Sequence, residues 1–333
     1  MNTPITVAIA GAGMVTGHHM PAWTSDPRVR VIGICDRDID KARSRAAEFD
    51  IPAVFDGVDR MLDALRPDAL DIALPPAAHG IALRAAAERG IAALCQKPLA
   101  PTLEEAQALA MELAGGPRVM VHENWRWRAH YRVLKDWLKR GALGSPVTFA
   151  LNVMGSGLVR RPDGRVPALE RQPFFADLDR FLVIEVLVHH LDTLAFLFGP
   201  VEIAGARLSV RAGTIAAEDT AVIALVAGGV AGTVTATAAA GGEPPLPNDR
   251  LLVHGTHASA LLDDWTLRCS DPEIAEHVGS YDEGYPAAYA AAIRHFVDCL
   301  ESGTPFETGM REGIAALRAV EAVYAHNGEG TAT

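Results

Sequence analysis

Short apolar runs alternate with amphipathic stretches through the first 122 residues, and this alternation sets the expected fold. Ile5 to Ala10 is an apolar run of the kind that forms a fully buried parallel strand, and it leads into a glycine turn, Gly11-Ala12-Gly13-Met14-Val15-Thr16-Gly17. A second apolar run, Val29 to Cys35, follows. Further strands are predicted at Ala53 to Phe55, Ala69 to Leu74, Ala92 to Cys95 and Val119 to His122. Helical spacing falls between them, at Asp40 to Phe49, Val58 to Leu65, His79 to Glu88 and Leu103 to Ala114. Strands and helices in strict alternation with short connections predict an α/β fold with a doubly wound parallel sheet.

After His122 the pattern changes, which places a domain boundary between 1–122 and 123–333. Glu123 to Arg128 leads into a helix from Tyr131 to Arg140, stopped by Gly141. Period-two runs then appear at Val147 to Val153, Ile203 to Val210, Ala221 to Val226 and Val230 to Ala236, with Gly228-Gly229 as a hairpin turn. Leu251 to His254 and Ala260 to Leu262 extend the set, and two helices close the chain, from about Pro286 to Glu301 and from Arg311 to His326. The second domain is therefore expected to be α/β, with a large, mostly antiparallel open sheet and helices on one face. Its other face needs a cover, which points to oligomerisation through the sheet.

Composition narrows the class. The 333 residues are 49% hydrophobic and 21% charged, as in an ordinary globular protein. A net charge of −11 argues against a nucleic-acid partner and leaves a small ligand or another protein as the expected partner. The most apolar window, Phe181 to Gly199, is broken by Glu185, His189, His190 and Asp192, so no membrane span is expected. Residues 1 to 4 lead straight into a strand, and Cys35, Cys95, Cys269 and Cys299 show no paired spacing. The expectation is a cytoplasmic protein with reduced thiols and no zinc site.

The chemistry concentrates at strand ends. Gly11 permits a tight turn, Gly13 lets a pyrophosphate approach the backbone, and Met14 and Val15 open the helix that would carry it. Asp36 ends the next strand at the spacing of a dinucleotide fingerprint, placed to bind both hydroxyls of an adenosine ribose. That favours NAD. Arg37 beside it keeps NADP open. Pro75 and Lys97 follow later strands, on the edge where a nicotinamide would lie, and His79 either caps its helix or faces the cofactor. Lys97 precedes Pro98, which disfavours helical backbone and sends the lysine forward over the strand ends. In the second domain Glu185, His189 and Asp192 are spaced to share a helix face, so a carboxylate can orient a histidine for proton transfer. His189 and His190 point in different directions from a helix, which disfavours a metal. Gly155 to Arg180, some 26 residues without periodicity, reads as a lid, binding loop or oligomer arm.

Taken together, Gln96-Lys97-Pro98, the glycine turn, the residues after the sixth strand, and the Glu185, His189, Asp192 spacing resemble the glucose-fructose oxidoreductase, inositol dehydrogenase and MocA family. The resemblance covers nearly the whole chain. It implies a Rossmann domain followed by a substrate and oligomerisation domain, and reversible oxidation of a secondary hydroxyl on a sugar, polyol or sugar acid by NAD or NADP. By resemblance, His189 is the acid/base, Lys97 orients and polarises the hydroxyl, and Glu185 holds substrate or tunes His189. Gln96 and Glu185 depart from the commoner Glu and Asp. Arg126, Arg128, Arg132 and Arg171 suggest sugar acids as substrates. An isomerase that recycles a bound nucleotide, and a nucleotide-sensing regulator without turnover, are the alternatives.

Overall fold

Two sheets organise the chain in a computed structural model that describes residues 3–329. The first is built from β1 (Ile5–Ala10), β2 (Val29–Cys35), β3 (Val54–Phe55), β4 (Ala69–Ile72), β5 (Ala92–Gln96) and β6 (Val119–His122). Between them run α1 (Met14–Ser25), α2 (Ile39–Glu48), α3 (Val58–Leu65), α4 (Pro76–Glu88) and α5 (Leu103–Glu112). All pairs are parallel, in the order β3-β2-β1-β4-β5-β6. The order reverses between β1 and β4, and the crevice beyond the carboxyl ends at that point is where such sheets bind ligands. Local chemistry sets the helix starts. Asp38 accepts from the Lys41 N–H at the head of α2, and Thr102 from the Glu105 N–H at the head of α5. Helix α4 begins three residues earlier than its apolar spacing predicts, because Pro76 is preset for the first helical position.

The chain divides into two compact units, Met1–Trp127 with Tyr285–Ile314, and Arg128–Gly284 with Ala315–Thr333. The division is therefore not a single crossing near residue 122. Helix α9 (Tyr281–Ser302) explains the return: its Ala288, Ala292, Ile293, Phe296 and Val297 are buried in one core with Val7, Ile9, Met20 and Trp23. Burying such side chains against the parallel sheet supplies about 1.5–3 kcal/mol each for the larger ones, more than a free helix could recover. Thr308 then pairs with β6, its carbonyl accepting from the Val121 N–H at 2.7 Å and its hydroxyl donating to the Val121 carbonyl at 2.7 Å.

The second unit opens with α6 (Ala129–Lys139) and an eight-stranded sheet whose first strand is β7 (Pro146–Met154). Then come α7 (Pro167–Arg171), a π-helical turn (Leu182–Leu187) running into α8 (Val188–Phe198), and the strands β8 (Val201–Ser209), β9 (Thr220–Ala227), β10 (Val230–Thr237), β11 (Asn248–Gly255), β12 (Ser259–Asp263), β13 (Thr266–Cys269) and β14 (His277–Val278). Helix α10 (Met310–Glu329) ends the described chain. The sheet order is β14-β13-β12-β11-β7-β10-β9-β8, antiparallel except for β7 with β10. Burial alternates along the strands, as a one-sided core requires: Phe149, Leu151 and Val153 point in, as do Ile223, Leu225, Leu251 and Val253. The opposite face leaves Val222 and Leu261 about half exposed.

Candidate active site

The turn after β1 has the form of a nucleotide cradle. Gly11 has φ +105°, and a Cβ there would lie 2.4 Å from the Ala73 carbonyl oxygen, so only glycine fits. At Gly13, the N-cap of α1, a Cβ would meet no protein atom within 4 Å. Nothing in the protein itself demands glycine at that position, and the space beside the backbone is open. No side chain caps α1, so its first N–H groups face the same space. Thr16, which stands where a third small residue is usual, is fully buried and donates to the Gly11 carbonyl at 2.8 Å. It replaces close packing by a hydrogen bond that fixes the turn.

Asp36 ties this turn to β2. Its Oδ2 accepts from the Ala12 N–H at 2.9 Å and its Oδ1 from the Asp38 N–H at 2.9 Å, which leaves each oxygen a further lone pair for a hydroxyl. Arg37, Pro75, Cys35, Leu74 and Ala78 surround Asp36 in a cleft of about 360 Å³, with Arg37 and Pro75 exposed. Burial pushes the Cys35 thiol up to about 12, so it stays protonated and unreactive. Met14 is half exposed at the mouth of the turn and Val15 half-buried.

Histidines hold the residues on either side of Lys97, Gln96 and Pro98. On the carboxyl side, His79 has no exposed surface, and its ring nitrogens lie 2.9 Å from the Pro98 carbonyl and 2.8 Å from the Leu74 carbonyl. This corrects the expectation that His79 caps its helix or meets the cofactor: it braces the ends of β4 and β5 against each other. On the amino side, Gln96 Nε2 lies 2.7 Å from His19 Nε2 and 3.0 Å from His122 Nδ1. His19 Nδ1 in turn reaches Asp71 Oδ2 at 2.8 Å, where Trp23 Nε1 also donates at 2.7 Å. Sequence reasoning missed Asp71, His19 and His122. One signal was present, a lone carboxylate inside the apolar run from Ala69 to Leu74.

In the second unit, Glu218 shapes the segment that carries the predicted acid/base. Its carboxylate accepts from the Phe181 and Val183 N–H groups at 3.1–3.2 Å and from the Tyr324 hydroxyl at 2.6 Å, capping the π-helical turn. His189 and Asp192 lie on α8, three apart and both buried. Glu185 lies in the wider π turn, so α-helical spacing aligns His189 with Asp192 but does not fix Glu185. A π turn is rare and occurs frequently at functional sites. His190 points into the sheet, its Nε2 2.9 Å from Asp249 Oδ1, while the Tyr131 hydroxyl at 3.0 Å and Arg128 Nη1 at 3.1 Å donate to Asp249 Oδ2. Burial pushes the Asp249 carboxyl up, but His190 and Arg128 outweigh it and hold the group well below the carboxylate range.

Three of the four arginines expected around an anionic substrate make contacts within the fold. Arg126 is buried and donates to the Glu307 carbonyl at 3.3 Å. Arg128 is held by Asp249 and lies over the Trp265 ring, and Arg132 lies over the Phe196 ring. Arg171 alone of the four is exposed, on α7. Among the described residues no group of three or more His, Cys, Asp or Glu side chains is arranged to hold a metal ion.

The comparisons fit this arrangement. Residues 5–123 match the oxidoreductase family with an NAD-binding Rossmann fold, and residues 131–261 match the C-terminal domain of the same family. The chain belongs to the Gfo/Idh/MocA oxidoreductase family. It is an NAD-binding oxidoreductase with the fold that its sequence resemblance implied. The D-apiose dehydrogenase of Paraburkholderia graminis is 30% identical over 97% of this chain and 88% of its own. The D-apiose dehydrogenase of Rhizobium rhizogenes is 26% identical over 97% and 95%. An oxidoreductase from Agrobacterium radiobacter, solved with NAD+, L-tartaric acid and magnesium, is 25% identical and superposes with a TM-score of 0.89 over 98% of this chain and 97% of its own.

Proposed function

We propose that this Gfo/Idh/MocA protein oxidises a secondary hydroxyl of a neutral sugar or polyol with NAD. The observation that carries the reading is Lys97, its flanking residues held by histidines, at the carboxyl edge of an NAD-binding sheet. Gly11, Gly13 and the uncapped start of α1 would hold the pyrophosphate, and Asp36 the ribose hydroxyls. When bound there, the nicotinamide supplies the hydride acceptor. Lys97 Nζ orients the substrate hydroxyl and stabilises the charge that develops on its oxygen. His189 takes the hydroxyl proton, with Asp192 on the same helical face as its orienting group and Glu185 holding substrate or tuning the imidazole. NAD is preferred over NADP because the Asp36 carboxylate, fixed by two backbone N–H groups, would repel a 2′-phosphate.

A neutral substrate follows from the employment of Arg126, Arg128 and Arg132 in the framework, and it accords with the two relatives named for D-apiose. The half-exposed Val222 and Leu261 on the open sheet face support a homodimer or homotetramer joined there, and four free thiols support a cytoplasmic setting. The test is a screen of aldoses, polyols, aldonates and uronates with NAD and NADP in parallel. Reduction of NAD by a neutral sugar or polyol is the expected result. Reduction only by aldonates or uronates, or only of NADP, contradicts the respective part of the reading.

A further inference from the structure

The chain Asp71, His19, Gln96, His122 lies in one unit, directly before Lys97, and its proton count follows from its donors and acceptors. Asp71 sits fully buried on β4; its Oδ2 receives the Trp23 and His19 N–H groups, and its Oδ1 is buried with no protein partner. An ionised carboxylate only accepts, so His19 carries its proton on Nδ1. Its Nε2 is then a lone pair, and the amide NH₂ of Gln96 donates to it. The second amide hydrogen goes to His122 Nδ1. The two imidazoles therefore require a group with two donors on one nitrogen. Glutamine provides this and glutamate does not.

With both hydrogens turned inward, Gln96 Oε1 is left on the half-buried outer side. Adding a proton to His19 Nε2 would set donor against donor. The amide must then turn over, Oε1 accepting from His19 and from an Nδ1–H tautomer of His122, and the outer side presents NH₂ instead. We propose that Gln96 is a positioning residue whose outward hydrogen-bonding polarity, acceptor or donor beside Lys97, is set by the proton count of the buried His19–Asp71 pair. The role in catalysis rests on the dehydrogenase reading; the proton arrangement does not. The groups facing the pair are His18 and Trp23 on α1, Cys95 and Gln96 on β5, His122 on β6 and Tyr289 on α9, whose ring centroid lies 5.6 Å from that of His19 and 5.1 Å from that of His122. Burial, then His19 and Arg45, push the His18 imidazole down, so it remains neutral and does not compete for the proton.

The experiment is nitrogen NMR of histidine-labelled protein, without substrate, at mildly alkaline pH, with His19→Asn and His122→Asn for assignment. The expected spectrum has unprotonated His19 Nε2 and His122 Nδ1 in the native protein, and both protonated in Gln96→Glu. A protonated nitrogen at either position in the native protein, or spectra unchanged in Gln96→Glu, overturns the proposal. The native spectrum decides even where the variant does not fold. With an active substrate in hand, the acid limb of kcat/KM moves to higher pH in Gln96→Glu and to lower pH in Asp71→Asn; a structural role lowers the amplitude of both without moving the limb. The expected spectra with a silent substrate screen would uphold the network and overturn the dehydrogenase reading instead.

Discussion

Acid should loosen the second unit through one residue, His130. This imidazole is buried at the start of α6, edge-on to the Trp265 ring at 5.0 Å and beside Arg128, and neither ring nitrogen has a hydrogen-bond partner among the described residues. Burial, then the Arg128 charge, push its pKa from 6.5 down to about 3. A histidine with a depressed folded value binds protons more readily when unfolded, so stability falls as the pH drops below 6.5, and the loss saturates near 3. At about pH 5 the loss is about 2 kcal/mol, and its ceiling, for a shift of roughly three and a half units, is about 5 kcal/mol. His130→Phe keeps a ring of similar shape without the proton. Between about pH 7.5 and 5 the variant should lose about 2 kcal/mol less than the native protein, which corresponds to a melting temperature roughly 4–8 °C less sensitive to acid. Scanning calorimetry of both proteins at the two pH values measures it. Equal acid sensitivity would refute the assignment of this cost to His130.

Three further outcomes follow from the geometry. Gly11→Ala forces a side chain to a positive φ and against the Ala73 carbonyl, so nucleotide binding measured by calorimetry should be lost while the second unit keeps its own melting transition. Asp36→Ala removes charge-assisted hydrogen bonds of about 1.5–3 kcal/mol, so KM for NAD should rise about 10- to 150-fold while KM for NADP falls. Asp249→Ala leaves His190 and Arg128 buried without their carboxylate and should destabilise the second unit by about 3–5 kcal/mol in urea unfolding, whereas a change under 1 kcal/mol would show that the cluster is unimportant.

Much of this was legible in the chain. The parallel sheet announces itself because each strand is a short apolar run closed by glycine, proline or a polar residue, and the strands Ile5 to Ala10, Val29 to Cys35 and Val119 to His122 keep their expected bounds. The turn at Gly11 and the carboxylate at Asp36 are local features with fixed spacing, and so they were found. What escaped depends on tertiary packing. The small β13 strand exists only because β12 offers it an edge, and β14 because β13 does in turn, while α9 joins the first unit through an apolar face whose destination no local pattern encodes. His79 carries the same spacing whether it faces a ligand or two carbonyls. The π turn before Val188 follows from Glu218, distant in sequence, drawing the Phe181 and Val183 N–H groups to itself. Asp249, like Asp71, carries a readable sign, since it shares the inward period-two register of Leu251 and Val253.

The central claim is that Lys97 acts on the substrate rather than on the fold or the nucleotide. The direct measurement is the rate of NAD reduction by the best sugar of the screen, native protein against Lys97→Ala, with NAD affinity measured on the same samples. The account predicts a fall in kcat of about 10²–10⁴ with NAD affinity kept within a few-fold. Native turnover in the variant, or a loss accounted for by nucleotide binding alone, would contradict it.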